Sequence, residues 1–165
     1  MSKRTEIAEL GHFGLIDRLT EGVEVSNGST VVGVGDDAAV IDAGDKYMLL
    51  STELFMEGVH FDLTYFPLKH LGYKVVVAAM SDIIAMNGTP RQLTVSLGVS
   101  ARFAVEHLEE LYEGVKFACE EYGIDLVGGD TSASINGLTI GVTAVGEVAK
   151  ERLVRRSGAK KNDLV

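Results

Sequence analysis

Apolar positions recur at helical spacing between Leu68 and Asn87. Leu71, Val75, Ala78, Asp82 and Ala85 are separated by four, three, four and three residues. Val76, Val77 and Met80 fill the other faces, so this helix is expected to be covered on most sides, with Gly88 and Pro90 ending it. A second helix is predicted over Ala104–Tyr122, and it is amphipathic. Leu108, Leu111, Val115, Ala118, Cys119 and Tyr122 form its inner stripe, while Glu109, Glu110, Glu113, Lys116 and Glu120 face water. Residues 5–20 carry a broken helical pattern interrupted by Gly11 and Gly14, which reads as one or two short helices before a polar loop at 22–30. Extended patterns cover Val31–Val34, Ala38–Ile41, Tyr47–Ser51, Gln92–Val99, Asp125–Val127 and Leu138–Val148.

Strands mixed with two long helices predict an α+β fold, a mixed or antiparallel sheet with helices packed on one face. The last strand, TIGVTAVGEV at 139–148, is apolar on nearly every residue. One covered face does not require that, so both faces are buried or a second chain covers one of them. Dimerisation through a sheet edge or face is the expectation. There is no internal repeat.

Four segments place acidic residues in apolar or small-residue surroundings without a basic neighbour: GVGDDAAV (33–40), LLSTELF (49–55), AMSDIIAM (79–86) and LVGGDTS (126–132). Carboxylates are rarely buried unless paired or metal-bound. Several meeting in one place would repel one another unless a cation held them. Mg²⁺, a hard ion that takes oxygen ligands and accompanies phosphates, is the simplest such cation. Asp82 is the most telling of them because it lies on the apolar stripe of its helix. It is either hydrogen-bonded to a helix N-terminus or to Ser81, or it points into a cleft as a ligand. Asp36 and Asp37 point opposite ways if the chain is extended, so at most one faces a site while the other shapes the turn, and a plain β-turn is the alternative. Ser51, Thr52 and Glu53 end an apolar strand, Gly128 and Gly129 permit close backbone approach before Asp130, and His60 follows a glycine in EGVHF.

Composition narrows the classes. A net charge of −9 excludes nucleic acid as a main partner, since phosphate neutralisation needs clustered Lys and Arg. The basic residues Lys150, Arg152, Arg155, Arg156, Lys160 and Lys161 gather near the end, either as a solvated flank, which charge alone favours, or as the phosphate-facing edge of a site. The apolar run Val75–Met80 is too short for a membrane span, and the first residues lack a signal-peptide core. The single cysteine, Cys119, forms no internal disulfide and suits a cytoplasmic setting as a packing residue. No phosphate loop, CxxC, HExxH or GxSxG motif is present, so phosphoryl transfer would depend on a metal-rich cleft.

Taken in order, GHFGLIDRL (11–19), GVGDDAAV, STELFMEGVHF (51–61), KVVVAAMSDIIAMNGTPR (74–91), VGGDTS and RRSGAKKND (155–163) resemble the N-terminal half of the thiamine-monophosphate kinases. These belong to the aminoimidazole ribonucleotide synthetase-like superfamily, and EGVHF points to the thiamine enzymes among its members. The resemblance implies transfer of the ATP γ-phosphate to thiamine monophosphate with Mg²⁺. Carried over by position, it makes Asp37, Ser51, Thr52, Glu53, Asp82 and Asp130 the metal ligands. His60 becomes the thiamine-phosphate contact, and Tyr112, Gly129 and Arg156 the ATP contacts. It also implies a homodimer and no protein nucleophile.

Two positions depart from the family. Glu53 stands where the family carries Asp, and Ala79 where it carries Asn. A single domain over 1–165 is expected, without the C-terminal half that closes the cleft, so these residues alone are expected not to turn over. The alternatives are a degenerate, non-catalytic dimeric module that binds nucleotide or metal, and a related synthetase acting on another phosphorylated metabolite.

Overall fold

The computed structural model describes residues 4–164. Six strands form one sheet: β1 (Thr30–Val32), β2 (Ala39–Asp42), β3 (Lys46–Met56), β4 (Thr89–Val99), β5 (Asp125–Ala133) and β6 (Leu138–Ala149). Their spatial order is β1-β2-β3-β6-β4-β5, antiparallel throughout except for the parallel β4–β5 pair. The helices are α1 (Ile7–Thr20), α2 (Leu68–Ala85) and α3 (Val105–Tyr122). The fold is α+β, with a mixed sheet and the two long helices on one face, as the periodicity predicts.

Alternation on β6 sets the two faces. Leu138, Ile140, Val142, Ala144, Gly146 and Val148 are buried, and the residues between them are half-buried. Leu49 and Phe55 of β3 and Leu93, Val95 and Leu97 of β4 join the covered side, where α2 contributes Leu71, Val75, Val76, Ala79, Met80 and Ile83. Helix α2 lies against β3, β4 and β6, and α3 packs on α2. The helices meet through a reciprocal glycine contact. A Cβ on Gly72 would fall 1.9 Å from the Leu111 carbonyl oxygen, and one on Gly114 would fall 1.8 Å from that of Lys69. Only hydrogen fits there, so backbone touches backbone. Helix α3 stops where Gly123 turns left-handed (φ 65°) and returns its N–H to the last-turn carbonyls.

The opposite sheet face carries no helix. Leu50, Leu54 and Met56 of β3 are exposed there, paired with Val145, Gly141 and Thr139 of β6. Helix α1 is kinked at Gly11 (φ 68°), and none of its residues is buried. Among the described residues no helix is long and apolar enough to cross a membrane.

Two expectations change. β5 runs to Ala133 rather than ending at Val127, because parallel pairing with β4 carries GGDTSA along as strand. β3 continues five residues past Ser51, held by β6 through the Met56–Thr139 pair. Ala79 of α2 is fully buried in the core.

Candidate metal and phosphate site

Because β3 continues to Met56, the Ser51–Thr52–Glu53 triplet lies within a strand, and its side chains alternate. Ser51, buried, and Glu53, half-buried, face the helices. Thr52 faces the open side, with its Oγ1 3.2 Å from Oγ1 of Thr143. Across the covered face, α2 brings Asp82 to this point. The Ser51 hydroxyl donates to Asp82 Oδ2 at 2.5 Å, while Ser81 donates to the Ala78 carbonyl instead. Burial and then the neighbouring Asp82 carboxylate raise the pKa of Glu53, and His60 partly offsets them. Two acids thus share one polar spot, with His60 and Arg156 near but neither in a salt bridge with them among the described residues, an arrangement that a divalent cation would complement.

His60 follows β3 in a tight turn. Its Nδ1 accepts the Met56 N–H at 3.0 Å, and its ring meets Phe55 edge-on. The Lys74 ammonium donates to the His60 carbonyl at 2.9 Å and lies 5.3 Å from the centre of the Phe66 ring. With Nδ1 already accepting, the ring offers Nε2 outward as a donor.

Asp36 and Asp37 lie in a turn rather than on extended chain, and both meet the Arg155–Arg156 segment while differing in burial. Asp36 has a side chain only 2% exposed. It accepts the N–H of Asp37 at 3.1 Å, the N–H of Arg156 at 3.2 Å and the Arg155 guanidinium at 3.2 Å. Burial opposes its ionisation, yet these donors hold its carboxyl below the usual range. Asp37 is more open and pairs with the Arg156 guanidinium. That pairing, and then the further charges of Asp36 and Asp82, push the Arg156 pKa up. The basic tail is therefore not wholly a solvated flank: Arg155 and Arg156 fold back on the acidic turn, and Lys150 pairs with Asp42.

Asp37, Ser51, Glu53, Asp82, His60 and Arg156 thus belong to one linked neighbourhood. Asp130 does not join it. It is exposed on β5 in register with Ser96, three strands from β3, an interval of about 14 Å at the usual strand spacing. Its neighbour Gly129 is held to β4 so closely that a Cβ would fall 1.8 Å from the Val95 carbonyl oxygen. Tyr112 of α3 packs against the core, and burial raises its pKa. Among the described residues no three His, Cys, Asp or Glu side chains come together as a ready metal cage.

The donor set nevertheless fits a hard cation. It consists of carboxylate and hydroxyl oxygens, and a guanidinium already rests on one carboxylate as a stand-in positive charge. The remaining ligands would come from phosphate or water, as is usual for Mg²⁺. Sequence reasoning missed Asp36 with Arg155 and the role of Lys74. For Lys74 a signal existed, since it lies eight residues before Asp82 and so on the same side of α2.

The family model for the AIR synthase related protein, N-terminal domain, matches residues 35–148. The chain is 40% identical over 159 residues to a thiamine-monophosphate kinase of Aquifex aeolicus, covering 96% of this chain and 49% of that protein. It is 36% identical to the enzyme of the same name from Bacillus subtilis, covering 94% of this chain and 48% of that one. The chain therefore spans about half the length of these curated relatives. Among solved structures, AaThiL complexed with AMPPCP and TMP superposes with a TM-score of 0.85 at 37% identity, covering 96% of this chain and 48% of the other. Hydrogenase maturation protein HypE in complex with ATP shares the fold at 22% identity and a TM-score of 0.57. A family model covering most of the chain, joined to a sheet and helix pair of the same architecture, places it: the chain belongs to the AIR synthase related family as its N-terminal domain.

Proposed function

We propose that these residues form the metal- and phosphate-handling half of a kinase that transfers the γ-phosphate of ATP to thiamine monophosphate. A phosphate oxygen of thiamine monophosphate forms the new P–O bond, and the bond from the γ-phosphorus to the β,γ-bridging oxygen breaks. The products are thiamine diphosphate and ADP. The observation that carries the reading is the Glu53–Asp82 carboxylate pair beside His60, with Ser51 donating to Asp82 and no salt bridge to either acid among the described residues. Likeness to a solved relative holding AMPPCP and TMP supports the choice of substrates.

Asp37, Glu53 and Asp82 would hold Mg²⁺, with Ser51 orienting Asp82. Mg²⁺ bound there neutralises charge on the transferring phosphate. His60 presents an N–H donor for the thiamine phosphate, with its ring held by the Met56 N–H and its turn by Lys74. Arg156 offers a planar fork suited to ATP phosphate oxygens. Gly129, packed on the Val95 carbonyl of β4, and Tyr112 of α3 would be the remaining ATP contacts by likeness to the family. Thr52, on the open face of β3, and Asp130, on β5, lie outside the Mg²⁺-holding set. No side chain serves as a nucleophile, so positioning and electrostatics carry the rate.

The uncovered sheet face, with Leu50, Leu54 and Met56 exposed, supports a homodimer formed through it. A buried lone thiol and the absence of a membrane-spanning helix among the described residues support a cytoplasmic setting. The test is conversion of thiamine monophosphate and ATP to thiamine diphosphate and ADP by these residues joined to the second half that the longer relatives carry. Nucleotide binding without product would favour the non-catalytic module. Product only with an aminoimidazole precursor would favour the synthetase reading.

A further inference from the structure

Arg155 and Arg156 are consecutive, yet their side chains sit in different surroundings. Arg155 donates to Asp36, a carboxylate with a side chain only 2% exposed whose other donors are two backbone N–H groups. That is a closed structural contact. Arg156 instead rests on Asp37, in an ion pair where the guanidinium side chain is 59% exposed and the carboxylate 25% exposed. The backbone leading to Arg156 is tied down on both sides of Val154. Asn87 donates to the Arg152 carbonyl at 2.8 Å, Val154 N–H donates to Met86 O at 3.2 Å, and the Arg156 N–H holds Asp36. The strap is anchored while the guanidinium hangs from a flexible stem beside the candidate ligands.

An exposed pair of this kind is worth only about a two- to fivefold bias in its own favour, so a divalent cation can displace it. We propose that Arg156 is an exchangeable internal cation. It neutralises Asp37 while the metal is away and yields that carboxylate when a divalent cation arrives, which frees its fork for phosphate oxygens. The exchange rests on the metal-site reading above. It adds that metal and Arg156 compete for Asp37 before nucleotide binds, and that Arg156 couples the two ligands.

The test is Mn²⁺ binding to the 165-residue chain without nucleotide, with free ion counted by electron paramagnetic resonance. Arg156→Met is expected to bind about two- to fivefold more tightly than the parent chain. Arg156→Lys keeps the charge and is expected to bind like the parent. Arg155→Met removes the same charge from the structural contact and is expected to leave affinity within twofold. Thermal midpoints without metal establish that each variant is folded. A second readout needs no variant: the Arg156 Nε–H resonance is expected to shift on adding Mg²⁺, while that of Arg155 stays in place. Unchanged or weaker binding in Arg156→Met, or equal tightening in Arg155→Met, overturns the exchange and leaves the metal site standing. Absence of Mn²⁺ binding in the parent chain overturns the metal site, and the exchange with it.

Discussion

Two acidic regions of this chain look alike in composition and differ in physics. Helix α3 carries Glu106, Glu109, Glu110, Glu113, Glu120 and Glu121, more carboxylates than the candidate site. They lie on its outer face, where water screens them and partners are incidental: Glu113 meets Lys69 at 3.1 Å, and Glu121 accepts from the Tyr73 hydroxyl at 2.9 Å. Glu53 and Asp82 are fewer, come from two elements far apart in sequence, and share one partly buried spot where the Glu53 pKa rises. The number of acids is therefore a poor guide to function. What distinguishes a site is carboxylates brought together by packing rather than by adjacency.

That contrast can be broken at several points. The largest effect is expected at a residue without charge. Gly114→Val would force the α2–α3 backbones apart and lower the unfolding free energy by about 3 kcal/mol, read by urea denaturation. The same measurement on Glu109→Gln is expected to show no change, because α3 is held by its glycine contact and apolar stripe. Next comes Asp82→Asn, expected to weaken Mg²⁺ binding at least about tenfold by calorimetry, as losing a ligand or its support does. Glu113→Gln is expected to leave that affinity untouched.

A smaller effect concerns the metal-free state. Glu53→Gln removes the like-charge contact with Asp82 and is expected to stabilise the chain in EDTA at pH 7 by a few tenths to about 1 kcal/mol. The pH dependence follows from the same shift. A carboxyl with a folded pKa above its unfolded value of about 4.3 binds more protons when folded. Its contribution is present below that unfolded value and is lost as pH rises through the folded pKa. In EDTA, stability should therefore rise as pH falls through this window, and the rise should shrink in Glu53→Gln. Below that window Asp36, with its depressed pKa, acts in the opposite direction and loses its contribution on protonation.

The helices were legible because 3.6-residue periodicity is local. Expected limits of Leu68–Asn87 and Ala104–Tyr122 became Leu68–Ala85 and Val105–Tyr122. The ends of β3 and β5 were not, because pairing with a distant strand sets them, whereas β2 and β6 fell within one residue of expectation. β6 extends β3 beyond Ser51, and β4 turns GGDTSA into strand. That error mattered for the site. A triplet at a strand end can converge on one ion, whereas a triplet inside a strand sends Thr52 to the other face. The apolar register of Asp82 was readable, but its donor, Ser51, lies 31 residues away and was not. Arg155 and Arg156 looked like part of a basic flank because no local pattern records that they return to a turn more than a hundred residues earlier.

The most direct measurement is paramagnetic broadening of amide resonances by substoichiometric Mn²⁺ in the 165-residue chain. The account expects broadening centred on Asp37, Glu53 and Asp82, with α3 from Glu106 to Glu121 left sharp despite its richer charge. Broadening that follows the α3 glutamates, or that spreads evenly over the acidic surface, would contradict it.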